Sequence, residues 1–158
     1  MLVKNQTLSS VKFLQAYNIP FNVIELQQIP QNAFSIAQQY NCSIKSVIKT
    51  LLFLGSQFVM VSIAGDRKVD INKLKLVTNI PKLSLTDSRK LREVSGCEMN
   101  GVTPFFESKE KIIRVMDNSC LQQEIVNIGA GIPLQGIELK SADLKLIWPG
   151  IIADVAKQ

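Results

Sequence analysis

The run Val47-Ile48-Lys49-Thr50-Leu51-Leu52-Phe53-Leu54 constrains the fold more than any other stretch of the chain. It is almost wholly apolar, with one lysine set into it. Gly55-Ser56 follows as a turn signal, and a second apolar run, Phe58-Val59-Met60-Val61-Ser62-Ile63-Ala64, comes directly after. Two such runs joined by a tight turn predict a buried β-hairpin. A lysine at the mouth of a buried strand is costly unless its ammonium reaches water or an anion. Two readings of Lys49 stay open on that ground: a snorkelling gatekeeper of the strand, or a ligand for a negatively charged group.

The flanks carry periodic patterns. Ala33, Ile36, Ala37 and Tyr40 recur at helical spacing, and a short helical turn through Ile44, Val47 and Ile48 leads into the hairpin. Upstream, residues 7–18 read as an amphipathic helix with Leu8, Val11, Leu14 and Tyr17 on one face, capped by Thr7, Ser9 or Ser10 and ended by Pro20. Residues 21–26 suit a strand, and the loop that follows contains Pro30. Downstream, Gly65-Asp66 is a turn. Asp70 is positioned to cap a short helix carrying Ile71, Leu74 and Val77, which Pro81 breaks. A short strand is expected over 82–85. Thr86 or Asp87 then caps a helix that joins Leu91 and Val94 on one face and stops at Gly96.

Residues 97–106 form a loop, 112–116 a strand ending at Asp117, and 124–128 a strand running into Gly129-Ala130-Gly131. Residues 136–139 are extended, Ser141 caps a last turn through Leu144 and Ile147, and 151–156 are expected to be a C-terminal helix. Helices and strands are interleaved, with several strands in close succession. The expected architecture is a mixed α/β (α+β) single domain over residues 1–158, with a curved mixed β-sheet flanked by helices. Strict strand–helix–strand alternation is missing, which disfavours a doubly wound nucleotide fold.

Length and composition agree with that architecture. A chain of 158 residues suits one compact domain, and 46% apolar with 20% charged residues suits a globular one. No apolar run reaches the roughly 18 to 20 residues of a membrane span. The N-terminal residues show no signal-peptide pattern, so a cytoplasmic location is expected. The net charge of +5 is scattered, with no block of like charges. It is as compatible with a nucleic-acid partner as with an ordinary solvated surface. Cys42, Cys97 and Cys120 are far apart and odd in number, without a C-x-x-C, and the chain has no histidine. That argues against structural zinc and a disulfide framework, and it excludes Ser-His-Asp and Cys-His catalysis within this chain. No metal or cofactor is expected.

Three loops stand out as places where chemistry could be carried. One is the entry to the Lys49 strand. The second runs through Ser95-Gly96-Cys97-Glu98-Met99-Asn100-Gly101-Val102-Thr103-Pro104-Phe105. The third is Gly129-Ala130-Gly131, straight after a strand. Glycine-rich loops at strand ends let backbone N–H groups approach a ligand, although each taken singly reads first as an ordinary tight turn. Neither matches a phosphate-binding or dinucleotide fingerprint. Asp117, at a strand end, could orient a ligand amine or cap the next turn.

Taken in order, these segments resemble the YbaK and prolyl-tRNA synthetase insertion-domain family of aminoacyl-tRNA deacylases. The resemblance is carried by Ala33-Phe34-Ser35-Ile36-Ala37 and Val47-Ile48-Lys49-Thr50-Leu51, then by Ile63-Ala64-Gly65-Asp66 and Asp70-Ile71-Asn72-Lys73-Leu74. It continues through Ser95-Gly96-Cys97, Asn100-Gly101-Val102-Thr103-Pro104, the strand ending at Asp117, Gly129-Ala130-Gly131, Ile137-Glu138-Leu139 and Asp143-Leu144. It covers roughly residues 22–147. The chain departs from the family pattern where Asn100 replaces the first of two glycines, Cys97 a tyrosine and Phe106 a glycine. Ile132-Pro133-Leu134 is apolar where relatives often carry a basic residue and glycine.

The resemblance implies a trans-editing hydrolase that cleaves the ester of a mischarged aminoacyl-tRNA, such as a mischarged tRNA-Pro. Its partner would be the 3′ acceptor end of aminoacyl-tRNA, with an aminoacyl-tRNA synthetase as a docking partner and neither membrane nor DNA involved. By the same resemblance, Lys49 would hold the terminal nucleotide or its phosphate. The segments Gly101, Val102, Thr103, Pro104 and Gly129, Ala130, Gly131 would frame the aminoacyl group, with Asp117 contacting it or supporting the loop. The rival expectation is a non-catalytic module that binds the acceptor end or a synthetase. A hydrolase acting on another ester is a third.

Overall fold

The computed structural model describes residues 10–158. Residues 10–16 are helical (α1). The chain continues through β1 (Asn22–Glu25), α2 (Ala33–Tyr40), β2 (Ile48–Leu54), β3 (Phe58–Ala64), α3 (Ile71–Thr78) and β4 (Ser84–Leu85). Then come α4 (Ser88–Ser95), β5 (Ile112–Asp117), β6 (Ile125–Gly129), β7 (Gln135–Lys140), α5 (Ser141–Ile147) and β8 (Ile151–Ala153). Single 3-10 turns occupy Ile44–Ser46 and Asn118–Leu121. Thr7, Leu8 and Ser9, assigned above to the first helix, lie outside the described residues, as does the N-terminal segment read for a signal peptide.

The expected hairpin is the centre of the molecule. β2 and β3 pair antiparallel from Ile48↔Ala64 to Leu54↔Phe58. β5 adds to β3 in parallel and β8 to β5 in parallel, giving a mixed sheet in the order β4-β2-β3-β5-β8. A second, antiparallel sheet has the order β1-β7-β6. The two touch through one parallel bridge, Val47↔Asn127. The protein is thus a mixed α/β single domain, with its strands in two bridged sheets.

The larger sheet is apolar on both faces, which is why its hairpin reads as two continuous apolar runs rather than an alternation. Ile48, Leu52, Met60 and Met116 face one core with Leu14, Leu91 and Leu144 from α1, α4 and α5. Phe53, Val59, Val61 and Val115 face the other, with Leu74 from α3 and Val155. Two polar groups inside the sheet pair with each other: Thr50 and Ser62, opposite one another, share a hydrogen bond of 2.9 Å.

The helix ends follow local chemistry. Asn32 and Ser35 form a capping box on α2. The Asp70 side chain accepts from the N–H groups of Asn72 and Lys73 to start α3. Asp87, not Thr86, caps α4 by accepting from Lys90 N–H, because the Thr86 hydroxyl is spent on Leu52 O at 2.9 Å. Gly96 ends α4 in the left-handed region, at φ 69.

Two expectations near the C-terminus are corrected. Residues 151–156 are not a helix: β8 (Ile151–Ala153) pairs with Val115, Met116 and Asp117 of β5. A six-residue helix cannot sustain itself, whereas β-branched Ile151 and Ile152 suit the open edge of β5. Gly150 makes the approach possible, since a Cβ there would collide with Arg114 O. Ser141 begins α5 without capping it. Its hydroxyl donates to Glu124 O at 3.3 Å, and the cap position, Lys140, makes no side-chain cap bond.

Candidate functional site

β4 pairs with β2 only at Phe53 and Leu54, and β6 reaches the strand only at the Val47 bridge. Between those points the outer edge of β2 is open, and a cavity of about 500 Å³ lies there. β2 contributes Ile48, Lys49 and Leu52 to its walls. Ala33, Ile36 and Tyr40 come from α2, Asn100 and Val102 from the loop after α4, and Asn127, Gly129 and Gly136 from the β6–β7 hairpin. The inner walls are largely aliphatic, and the exposed Phe34, Leu85 and Met99 also line it.

Lys49 is half-buried on this wall. Its Nζ makes one hydrogen bond among the described residues, a long donation of 3.5 Å to Gly65 O. Among the described residues no carboxylate lies within ion-pair distance of it. Burial, then the nearby Lys68, push its pKa below the ordinary lysine value, and Asp66 opposes them. A partly desolvated cation with no carboxylate at ion-pair distance is a candidate site for an anion.

The two glycine loops are brought together, but mainly against each other. Gly131 N–H donates to Gly101 O at 2.7 Å. A Cβ on Gly101 would collide with the Ile132 backbone, and one on Gly129 with Val102 O. The glycines permit two backbones to pack without side chains between them. Of the predicted framing residues, Val102 and Gly129 line the cavity, while Gly101, Thr103, Pro104, Ala130 and Gly131 are not part of its lining. Thr103 is fully buried, and its hydroxyl accepts Phe105 N–H at 3.2 Å.

Asp117 is also away from the cavity lining. It is 2% exposed, and both carboxylate oxygens take backbone donors: Oδ2 from Ser119 N–H at 2.9 Å and Oδ1 from Val155 N–H at 2.8 Å. It ties the end of β5 to the C-terminal segment. Of the two readings the sequence left open, this geometry supplies the turn cap.

Arg114, Tyr40 and Asn127 shape the site without having been given a site role from the sequence, and Asn100 was noted only as a departure from the family pattern. Arg114 of β5 donates to Pro104 O at 2.8 Å and Phe106 O at 2.9 Å, and its guanidinium lies 4.9 Å from the centre of the Phe106 ring. It holds the loop after α4 from beneath. Asn100 holds that loop from the other end. Its φ of 66 is left-handed, which asparagine tolerates better than other side chains, so it meets the backbone demand of a glycine position. It adds what glycine cannot, donating from Nδ2 to Pro30 O and Gln31 O at 3.2 and 3.1 Å. Its exchange for glycine in the family pattern was the signal that could have found it. Tyr40 and Asn127 place polar atoms on the cavity wall, and nothing in their local sequence distinguishes them from core residues.

Among the described residues no three His, Cys, Asp or Glu side chains converge as a metal site would need. The three cysteines are free, with Cys97 and Cys120 buried and both thiol pKa values raised, chiefly by burial. No described helix is long and apolar enough to cross a membrane. What the described residues bring together is an ammonium without a carboxylate at ion-pair distance, fixed backbone and a shaped aliphatic cavity.

Comparison with known proteins points in one direction. The chain is 28% identical over 79 residues to the proline–tRNA ligase of Thermosipho africanus (strain TCF52B), a match that takes 49% of this chain and only 14% of the ligase. Its fold is similar to that of a hypothetical protein, APE2540, with a TM-score of 0.86 at 22% identity, covering 94% of this chain and 99% of the other. It is similar also to a proposed trans-editing enzyme for prolyl tRNA synthetase, with a TM-score of 0.85 at 19% identity, covering 97% and 98%. The aminoacyl-tRNA editing domain family matches residues 32–146. That span contains Lys49, both glycine loops and every cavity-lining residue except Leu26, so the chain belongs to the aminoacyl-tRNA editing domain family.

Proposed function

We propose that the protein is an aminoacyl-tRNA deacylase acting in trans, cleaving the ester between a mischarged amino acid and the 3′-terminal ribose of tRNA. The observation that carries this reading is Lys49: a half-buried ammonium on a cavity wall with no carboxylate partner among the described residues. The acceptor end of tRNA is single-stranded and anionic, so a cation must hold it. Lys49 takes the terminal nucleotide through its phosphate. The aminoacyl group enters the aliphatic cavity, with the backbone at Val102 and Gly129 against it. An ester is already activated, so holding it beside a water and stabilising the carbonyl oxygen supplies much of the rate. Water adds to the carbonyl carbon, the bond to the ribose oxygen breaks, and that oxygen leaves as a hydroxyl with the water's proton. No side-chain nucleophile is required, which suits a chain without histidine. The proline–tRNA ligase relative and the trans-editing neighbour favour tRNA-Pro as the carrier and its synthetase as a working partner in the cytoplasm.

The test is a panel of mischarged tRNAs incubated with the wild type and with Lys49→Ala. Turnover of at least one substrate, lost in the variant, supports the reading. Binding without turnover across the panel would make the protein a non-catalytic module, and hydrolysis of free esters unaffected by tRNA would make it a different hydrolase. Binding should also weaken with salt, at a slope of about −0.7 per phosphate contact.

A further inference from the structure

Two buried side-chain atoms on the cavity wall have no hydrogen-bond partner among the described residues: Tyr40 Oη and Asn127 Oδ1. Asn127 is only 5% exposed. A buried polar atom left unpaired costs about 1–3 kcal/mol, so two on one wall imply an occupant that satisfies them.

Both are held where they are. Asn127 sits within β6, paired with Glu138 of β7 and bridged to Val47, two residues before Lys49. Its Nδ2 meets Cys42 Sγ at 3.9 Å, which leaves Oδ1 as a free acceptor. Tyr40 ends α2 and lies against Gly136, where an added Cβ would collide with its hydroxyl. The surroundings are negative. Burial, then Cys42 and the carboxylates of Glu25 and Glu138, push the Tyr40 pKa up to about 12. The Lys49 side carries two cations, Lys49 with Lys68 nearby, against one carboxylate, Asp66. The cavity therefore has a cationic side and an acceptor-rich corner, with aliphatic walls as its remaining lining.

We propose that Asn127 Oδ1 and Tyr40 Oη form an amine-reading corner that accepts hydrogen bonds from the α-ammonium of the aminoacyl group. This rests on the deacylase reading and names a substrate class for it. An aminoacyl-nucleotide end carries an anionic phosphate and a cationic amine. An ammonium offers three donors and no acceptor, which matches the acceptor Asn127 Oδ1 and the lone pairs of Tyr40 Oη, a hydroxyl whose own proton can turn away, in a negative corner. The substrates are then esters with a free α-amine. An N-acylated or peptidyl ester has lost the charge and two of the donors and has gained bulk, so it is rejected.

The probes are 3′-alanylamino-3′-deoxyadenosine 5′-monophosphate, whose amide replaces the ester, and its N-acetyl form. Alanine is used because its small side chain fits whichever amino acid the cavity prefers. Binding is read by calorimetry on the full chain. The wild type should prefer the free amine by about tenfold or more, as loss of charged hydrogen bonds requires. Asn127→Leu should bring the two within about twofold. Tyr40→Phe should lower the ratio, and Asn127→Asp should keep it. If Asn127→Leu does not fold, the last two variants decide the matter. Equal binding of both probes by the wild type, or an undiminished ratio in Asn127→Leu and Tyr40→Phe, overturns the proposal. Lys49-dependent binding without amine preference overturns it alone. Failure of the wild type to bind either probe overturns both it and the deacylase reading.

Discussion

Lys49 and Arg114 are both cations partly buried on strands of one sheet, and neither has a carboxylate partner among the described residues. Burial lowers the pKa of each. They differ in where their donors go. The guanidinium of Arg114 is spent on Pro104 O, Phe106 O and the Phe106 ring, a planar fork matched to fixed carbonyls. Lys49 has only the 3.5 Å contact to Gly65 O. Burial of a charge therefore does not mark function in this fold. What separates the two is whether the donors go to the protein's own carbonyls, as in Arg114, or face a cavity, as in Lys49.

The largest expected effect is on Lys49. Lys49→Ala should reduce single-turnover deacylation by about a hundredfold to a thousandfold, the scale of removing one electrostatic stabiliser. Its urea midpoint should not fall, because no internal bond of consequence is lost. A variant that unfolds easily and still turns over would make Lys49 the structural cation of the pair. Arg114→Met should do the opposite. Loss of two charge-assisted hydrogen bonds, leaving two buried carbonyls unpaired, should lower stability by about 3 kcal/mol in urea denaturation. Any loss of activity should follow indirectly, through a loosened loop at Val102.

Asn100→Ala tests the other support of that loop. A left-handed alanine and the loss of two side-chain bonds should cost about 1–2 kcal/mol, and Asn100→Gly should cost less because it relieves the backbone term. Equal losses would assign the whole effect to the bonds to Pro30 and Gln31. The smallest effect is on pH dependence. The folded-state pKa of Lys49 lies below its unfolded value of 10.5, so its charge costs stability below the folded pKa. That cost disappears as pH rises from the folded pKa towards 10.5. Wild type should gain stability relative to Lys49→Met across that interval, and deacylation should decline over the same rise. A difference flat with pH would show Lys49 fully solvated.

Much of the scaffold was legible because local rules carry it. The hairpin followed from two apolar runs and Gly55-Ser56, and α3 and α4 from Asp70, Asp87 and Gly96. The C-terminal strand was not legible. Residues 151–156 are apolar without a decisive period, and their state depends on an open edge of β5 far away in sequence. Lys49 stood out because a charge interrupting an apolar run is visible one residue at a time. Asp117 was visible for the same reason, yet its partners, Ser119 and Val155, turn it to a structural use.

Composition, periodicity and punctuation were enough to require a buried hairpin with a cation in it, to remove histidine chemistry and to suggest the family. These are properties of neighbouring residues, set by burial cost and backbone preference. The cavity is not such a property. It exists because β4 stops after two residues of pairing and the second sheet touches β2 at one bridge. Which glycines line the cavity, which cation is spent and where Tyr40 and Asn127 leave atoms unpaired all depend on contacts between segments tens of residues apart. Hydrogen bonds and close packing are settled only when those segments meet, and the partners the fold withholds from Lys49 are what leave its ammonium facing the cavity.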